Sequence, residues 1–174
     1  MDIIDQSVFQ SLCQAGEIQQ DQCYFLDGIK IGLRIWPDVV QMSDYIDLTV
    51  DGSNRPVRVN LARQPLVKGK LYLARTVERI CLPPSVIGFI HTRSHWANLG
   101  LDCVGSSNMM GAGFGGGTPI PLVLQLKPAV TLSGIDLRDA LAALALFRLS
   151  QPVEAGHYDE DIGSRFPLDL WPPD

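Results

Sequence analysis

The spacing of apolar and polar positions changes several times along this chain, and each change marks an element. The first segment has helical spacing: Asp5 and Ser7 offer caps, Val8, Phe9 and Leu12 share a face, and Gly16 supplies the stop. From Ile29 the period becomes two. Ile29-Lys30-Ile31-Gly32-Leu33-Arg34-Ile35 alternates as a half-buried strand does, and Pro37 ends it. Residues 44–50 and 57–61 predict two strands around the turn Asp51-Gly52-Ser53-Asn54. Lys68-Gly69-Lys70 is a turn with solvated lysines, followed by Leu71-Tyr72-Leu73-Ala74-Arg75-Thr76. Ile80-Cys81-Leu82 then meets Pro83-Pro84, which cannot continue a helix.

Further strands are predicted over residues 86–90 and 120–126, the latter closed by Pro128, with a short one over 130–132. Residues 137–149 leave two readings open. Their Ala and Leu content and their length favour helix, while a long apolar run also fits a buried strand. Many short strands at close spacing predict a mainly β domain, a sandwich or barrel. No repeat or internal boundary is visible, so residues 1–150 read as one domain and 151–174 as a tail. That tail carries Tyr158, Arg165, Phe166 and Trp171, too aromatic for an idle linker, and is expected to pack on the domain or a neighbouring subunit.

Composition narrows the function. A length of 174 residues suffices for one domain with a real core. With 14 basic and 19 acidic residues the net charge is -5, which argues against a general nucleic-acid binder and leaves room for a local phosphate site. No apolar run reaches the roughly 18 residues of a membrane span. Met1-Asp2-Ile3-Ile4-Asp5 does not read as a secretion signal, so a soluble cytoplasmic protein is expected. Cys13, Cys23, Cys81 and Cys103 form no C-x-x-C pair, and Cys81 and Cys103 read as reduced core residues. The Pro-Cys-x-x-Cys element of zinc-dependent deaminases is absent.

The densest candidate chemistry is Arg93-Ser94-His95-Trp96-Ala97-Asn98-Leu99-Gly100-Leu101, where a cation, a hydroxyl, an imidazole and an amide follow an apolar strand. Such a rim suits an anion; the plainer reading is a charged loop capping a short helix, with Trp96 in packing or a subunit contact. Gly111-Ala112-Gly113-Phe114-Gly115-Gly116 matches G-x-G-x-x-G by letter. A strand-like segment with Pro119 and Pro121 follows it rather than a helix, so a dinucleotide fold is rejected. The glycines instead allow close backbone approach, in a ligand loop or a surface hairpin. His91 and His95 lack an evident third metal ligand, Asp102 being the nearest carboxylate, and no metal site is expected. Ser94 beside His95 lacks the G-x-S-x-G elbow of a nucleophile.

Taken in order, these segments resemble the dCTP deaminase branch of the dUTPase-like superfamily. Asp27-Gly28-Ile29-Lys30-Ile31-Gly32-Leu33 is similar to its early strand S-V-D-L-R-L-G. Gly69-Lys70-Leu71-Tyr72-Leu73-Ala74-Arg75-Thr76-Val77-Glu78-Arg79-Ile80-Cys81-Leu82-Pro83 resembles P-G-x-F-x-L-x-x-T-x-E-x-I-x-L-P. The segment from Arg93 to Leu101 resembles R-S-S-x-A-R-x-G-L, and that from Gly111 to Gly116 resembles D-P-G-W-x-G. The resemblance implies a distorted β-barrel or jelly roll with an N-terminal helix, a homotrimer, and ligand sites between subunits. It also implies phosphate held by the Arg-Ser pair, usually with magnesium, and a Glu after the glycine-rich loop that shuttles the proton of deamination.

Departures fall on those positions. The family's second Arg is Asn98, its second Ser is His95, its loop Asp is Gly111, its early-strand Asp is Lys30, and its catalytic Glu falls on Gln125. An amide cannot act as a general base at neutral pH. No acidic residue lies from Val104 to Gly134, so no shift of register restores one. The resemblance therefore implies a nucleotide-binding protein of pyrimidine deoxynucleotide metabolism with lost or reduced catalysis. Phosphate and nucleotide contacts would come from Arg93, Ser94, His95, Asn98, Asn108, Gly113 and Gln125, with magnesium entering through the phosphates. Two alternatives stay open. One is an active dCTP deaminase or dUTP diphosphatase using Asp102, His95 or tail carboxylates (Asp159, Glu160, Asp161). The other is a regulatory protein that binds a partner on the same scaffold.

Overall fold

The computed structural model describes residues 1–44, 56–105 and 108–154. Two antiparallel sheets face each other, each organised on one long strand. In the first, β11 (Ala142–Arg148) pairs along one edge with both β1 (Asp2–Ile4) and β3 (Lys30–Leu33), end to end. Its other edge pairs with β7 (Val86–Thr92), which in turn carries β9 (Met109–Met110). In the second, β6 (Tyr72–Cys81) takes β4 (Asp38–Gln41) and β2 (Gln19–Asp21) on one edge, with β5 (Val57–Asn60) outside β4. The other edge of β6 pairs with β10 (Ile120–Pro128), then β8 (Leu101–Gly105).

Period-two patterning places the core. Leu122, Leu124 and Leu126 of β10 point inward, as do Leu144 and Leu146 of β11 and Ile31 and Leu33 of β3. Between the sheets these side chains leave water, at roughly 1.5–3 kcal/mol for each large aliphatic group. The helix α1 (Gln6–Gln14) packs Phe9 and Leu12 onto this core, Phe9 meeting Phe25 edge-on with ring centres 5.3 Å apart. The Asp5 Oδ1 accepts from the amides of Ser7 and Val8, both at 2.9 Å, and so caps the helix.

The chain crosses from β3 to the second sheet through residues 34–36. Ile35 bridges to Thr76, and the Val77 amide donates to the Arg34 carbonyl at 2.9 Å. The T-x-E pattern works at this corner. The buried Glu78 carboxylate accepts from the Arg34 amide at 2.8 Å and from its Nε at 2.7 Å. The Thr76 hydroxyl donates to the Glu78 carbonyl at 2.7 Å and accepts from the Leu122 amide at 2.9 Å. That second bond satisfies the amide left over where the β10 register slips between Pro121 and Val123.

Several expectations change. Residues 137–149 are not helix: β11 lies between β7 on one edge and β1 and β3 on the other, and burial within the sheet overrides Ala and Leu propensity. Val8 is exposed, because the buried stripe of so short a helix is only Phe9 and Leu12 wide. Residues 130–132 contribute one bridge, Leu132 to Leu66, rather than a strand. Strands β1, β2, β4, β8 and β9 are not among those expected; β3 ends at Leu33, ahead of Pro37, and β4 begins directly after that proline. The expected strand over 44–50, its following turn and the tail aromatics lie outside the described residues, apart from Asp44. Cys81 and Cys103 are buried free thiols, as expected, and burial pushes the Cys103 thiol up. No helix among the described residues is long and apolar enough to cross a membrane.

Candidate functional site

The rim begins where β7 ends. Arg93 stands at the N-cap of α2 (Ser94–Asn98) without a side-chain capping bond. Its backbone amide donates to the Leu141 carbonyl at 3.1 Å. Its Nη1 pairs with Asp139 and donates to the Ala140 carbonyl at 3.0 Å. The buried Trp96 donates its indole N–H to the same carbonyl at 3.1 Å. Four contacts thus clamp α2 to residues 139–141, just before β11. Trp96 is a packing residue, and the Arg93 guanidinium is both oriented and partly neutralised by Asp139.

Ser94, His95 and Asn98 are exposed on α2. Beside them lies an open cleft of about 480 Å³ between α2 and residues 132–139. His95, Leu99, Ser133, Ile135, Asp136 and Asp139 all line it. A hydrogen bond from Arg138, itself fully open to water, holds the Asp136 carboxyl below the usual carboxylate range.

A polar seam continues inward from the rim. The Tyr24 ring lies under the Arg34 guanidinium, 5.0 Å from carbon to ring centre. A side chain on Gly32 would meet that ring at 2.5 Å, so glycine there admits Tyr24 over the sheet. Burial, and then the Glu78 charge, push the Tyr24 phenol up, while Arg34 and Arg93 pull it down. The phenol therefore feels both the rim and the buried corner.

The remaining sequence-predicted residues are elsewhere in the chain. Asn108 is exposed, and its carbonyl accepts from the Ile90 amide at 2.8 Å. Gly111 follows Met110, which pairs with Gly88 of β7. Five residues of strand separate Gly88 from Arg93, roughly 17 Å. The Gly113 amide is occupied by the Pro83 carbonyl at 3.3 Å, and the Leu82 amide donates to Phe114 at 2.8 Å. The glycine run is thus tied down beside the Pro83-Pro84 turn. Gly115 has φ +92, and a Cβ there would stand 2.7 Å from the Thr118 carbonyl. Gln125 is half-exposed on the β10 face away from the core, opposite Leu73 and Val104.

One chain therefore groups Arg93, Ser94, His95 and Asn98, groups Gly111 and Gly113 separately beside β9, and leaves Gln125 on the other sheet. Among the described residues no group of three His, Cys, Asp or Glu side chains is placed to hold a metal ion. Sequence reasoning missed Asp139 and Tyr24. Asp139 is 46 residues from Arg93, and no periodicity links them. For Tyr24 the available signal was Gly32, a glycine inside an alternating strand, which marks a close approach.

Comparisons with known proteins give a family match and likenesses to solved structures. The model of a family described as dCTP deaminase-like matches residues 38–138. The crystal structure of 2′-deoxycytidine 5′-triphosphate deaminase from Agrobacterium tumefaciens superposes with a TM-score of 0.59 at 15% identity, covering 83% of this chain and 47% of that one. The chain thus spans about half the length of that deaminase. The native EIAV dUTPase gives a TM-score of 0.47 at 13% identity, covering 83% of this chain and 96% of the dUTPase. A search of curated proteins finds no match.

Proposed function

The chain belongs to the dCTP deaminase-like family, and from that premise we propose that it binds a pyrimidine nucleotide without deaminating it at an enzyme's rate. The observation that carries this reading is Gln125. Deamination at C4 of a cytosine needs a group that takes a proton from water and returns it, which a carboxylate does and a carboxamide does not. Gln125 stands on the strand after the glycine-rich loop, and residues 104–134 contain no carboxylate to replace it.

Binding is assigned to the rim. A guanidinium has five N–H donors in a planar fork. Asp139 and Ala140 take Nη1, which fixes the plane and leaves another edge for a phosphate. The Ser94 hydroxyl and His95 add neutral or titratable partners. Magnesium would arrive with the phosphates, held by them rather than by a protein cluster. In this reading the protein is a homotrimer, and Asn108 and Gln125 reach the ligand from a neighbouring copy. Residues 1–150 form the domain and the tail packs on it or on a neighbour.

The test is incubation of purified protein with dCTP or dUTP and magnesium, followed by product separation and, in parallel, calorimetry. Heat of binding with no dUTP formed from dCTP and no dUMP formed from dUTP is expected. Turnover at enzyme-like rates would overturn the loss of catalysis; absence of any binding heat with dCTP, dUTP and their monophosphates and nucleosides alike would overturn the ligand assignment.

A further inference from the structure

We infer that the ligand of this rim is a nucleoside carrying at most one phosphate, its base and sugar seated in the cleft between α2 and residues 132–139. The inference rests on the nucleotide-binding reading and narrows it. Size admits it: about 480 Å³ lies within the range of roughly 300–1,000 Å³ for small-molecule sites. The lining divides by chemistry. Leu99 and Ile135 offer aliphatic surface for the face of a planar base. Ser133, Asp136 and Asp139 offer acceptors for the hydroxyls of a sugar.

Charge argues against a triphosphate. The charged side chains at the rim are Arg93, Asp139, Asp136 and Arg138, two cations already matched by two carboxylates. Arg138 points to water and is screened. Arg93 has Nη1 committed to Asp139 and Ala140, so its free edge serves one phosphate and no more. A second or third phosphate would lie against a rim whose two cations and two carboxylates cancel, with no surplus positive charge to meet it. A nucleoside gains the apolar wall and the hydroxyl acceptors and has no further charge that needs a partner.

Calorimetry on the full chain would compare deoxycytidine, dCMP and dCTP, and the matching deoxyuridine series, at fixed low salt. The monophosphate or the nucleoside is expected to bind at least about tenfold more tightly than the triphosphate. Asp136→Asn, at an exposed position, is expected to raise triphosphate affinity several-fold and to shift nucleoside affinity less, since it removes the charge but keeps a carbonyl oxygen that accepts from a sugar hydroxyl. Ile135→Trp, which fills the cleft, is expected to remove nucleoside binding with the melting temperature preserved. A triphosphate bound as tightly as the monophosphate overturns the inference and leaves the nucleotide reading standing. Nucleoside binding that survives Ile135→Trp overturns the placement in the cleft. No heat from any of these ligands overturns the nucleotide reading itself, and this inference with it.

Discussion

Glu78 holds a corner of the fold and resists its own ionisation. Its carboxylate is buried between the sheets, where two bonds from Arg34 join the strand crossing to β6. Burial raises its pKa; the bonds from Arg34 pull the other way without cancelling that rise. For an acid whose folded pKa lies above its unfolded value, the stabilising contribution is full below the unfolded value and is lost as pH rises through the folded one. Glu78→Gln removes this titration. The stability difference between the natural chain and E78Q is therefore expected to move against the natural chain as pH rises above the ordinary glutamate range. Urea denaturation at each pH reads it, and a shift in the opposite sense would mean that attraction to Arg34 outweighs burial. The sequence makes Thr76 and Glu78 legible as neighbours on one strand face, because the period is two. It cannot show that Arg34, 44 positions earlier, is the partner, since only the crossing between sheets brings them together.

Among the elements, β11 shows most clearly where local pattern fails. Ala142-Ala143-Leu144-Ala145-Leu146-Phe147 has no polar face to betray a strand: Ala142, Leu144 and Leu146 face the core, and Ala143 is buried on the opposite face. An alternating strand such as β3, or a short apolar run bounded by the Pro83-Pro84 turn such as β7, is legible in advance; very short strands such as β1 and β9 exist through pairing and carry no periodic signal of their own. Gly88 of β7 tests the resulting register. A Cβ on it would lie 2.6 Å from Leu144 Cδ1 and 3.2 Å from Met110 Cβ. Gly88→Ala is expected to destabilise by about 1–3 kcal/mol through overpacking. Leu144→Ala alone should cost about 2–5 kcal/mol by opening a cavity. In the double variant the added methyl enters the vacated space, so the combined loss should fall short of the sum. Strict additivity in chemical denaturation would show that β7 and β11 do not meet at these positions.

For the molecule as a whole, the question is what one chain leaves incomplete. Arg93, Ser94, His95 and the cleft belong to one region, while Asn108 lies alongside β7 and Gln125 projects from the other sheet, away from the core. The motif letters gave the rim and the glycine-rich loop their places in the chain but not their distance apart, because that is fixed by where β7, β8 and β9 pair. If Asn108 and Gln125 serve the ligand, they serve it from another copy, and a closed ring of copies repeats the same contact at every site. Sedimentation is then expected to give a trimer. Asn108→Ala and Gln125→Ala should each cost about 0.5–1.5 kcal/mol of nucleotide affinity, the worth of a neutral hydrogen bond. Arg93→Lys should cost more, about 1.5–3 kcal/mol, since an ammonium can keep the ion pair with Asp139 but loses the planar fork. A monomer in which the two amide substitutions leave affinity untouched while Arg93→Lys weakens it would place the entire ligand on a single chain. The role proposed for Asn108 and Gln125 would then fall, and the α2 cleft would stand alone as the site.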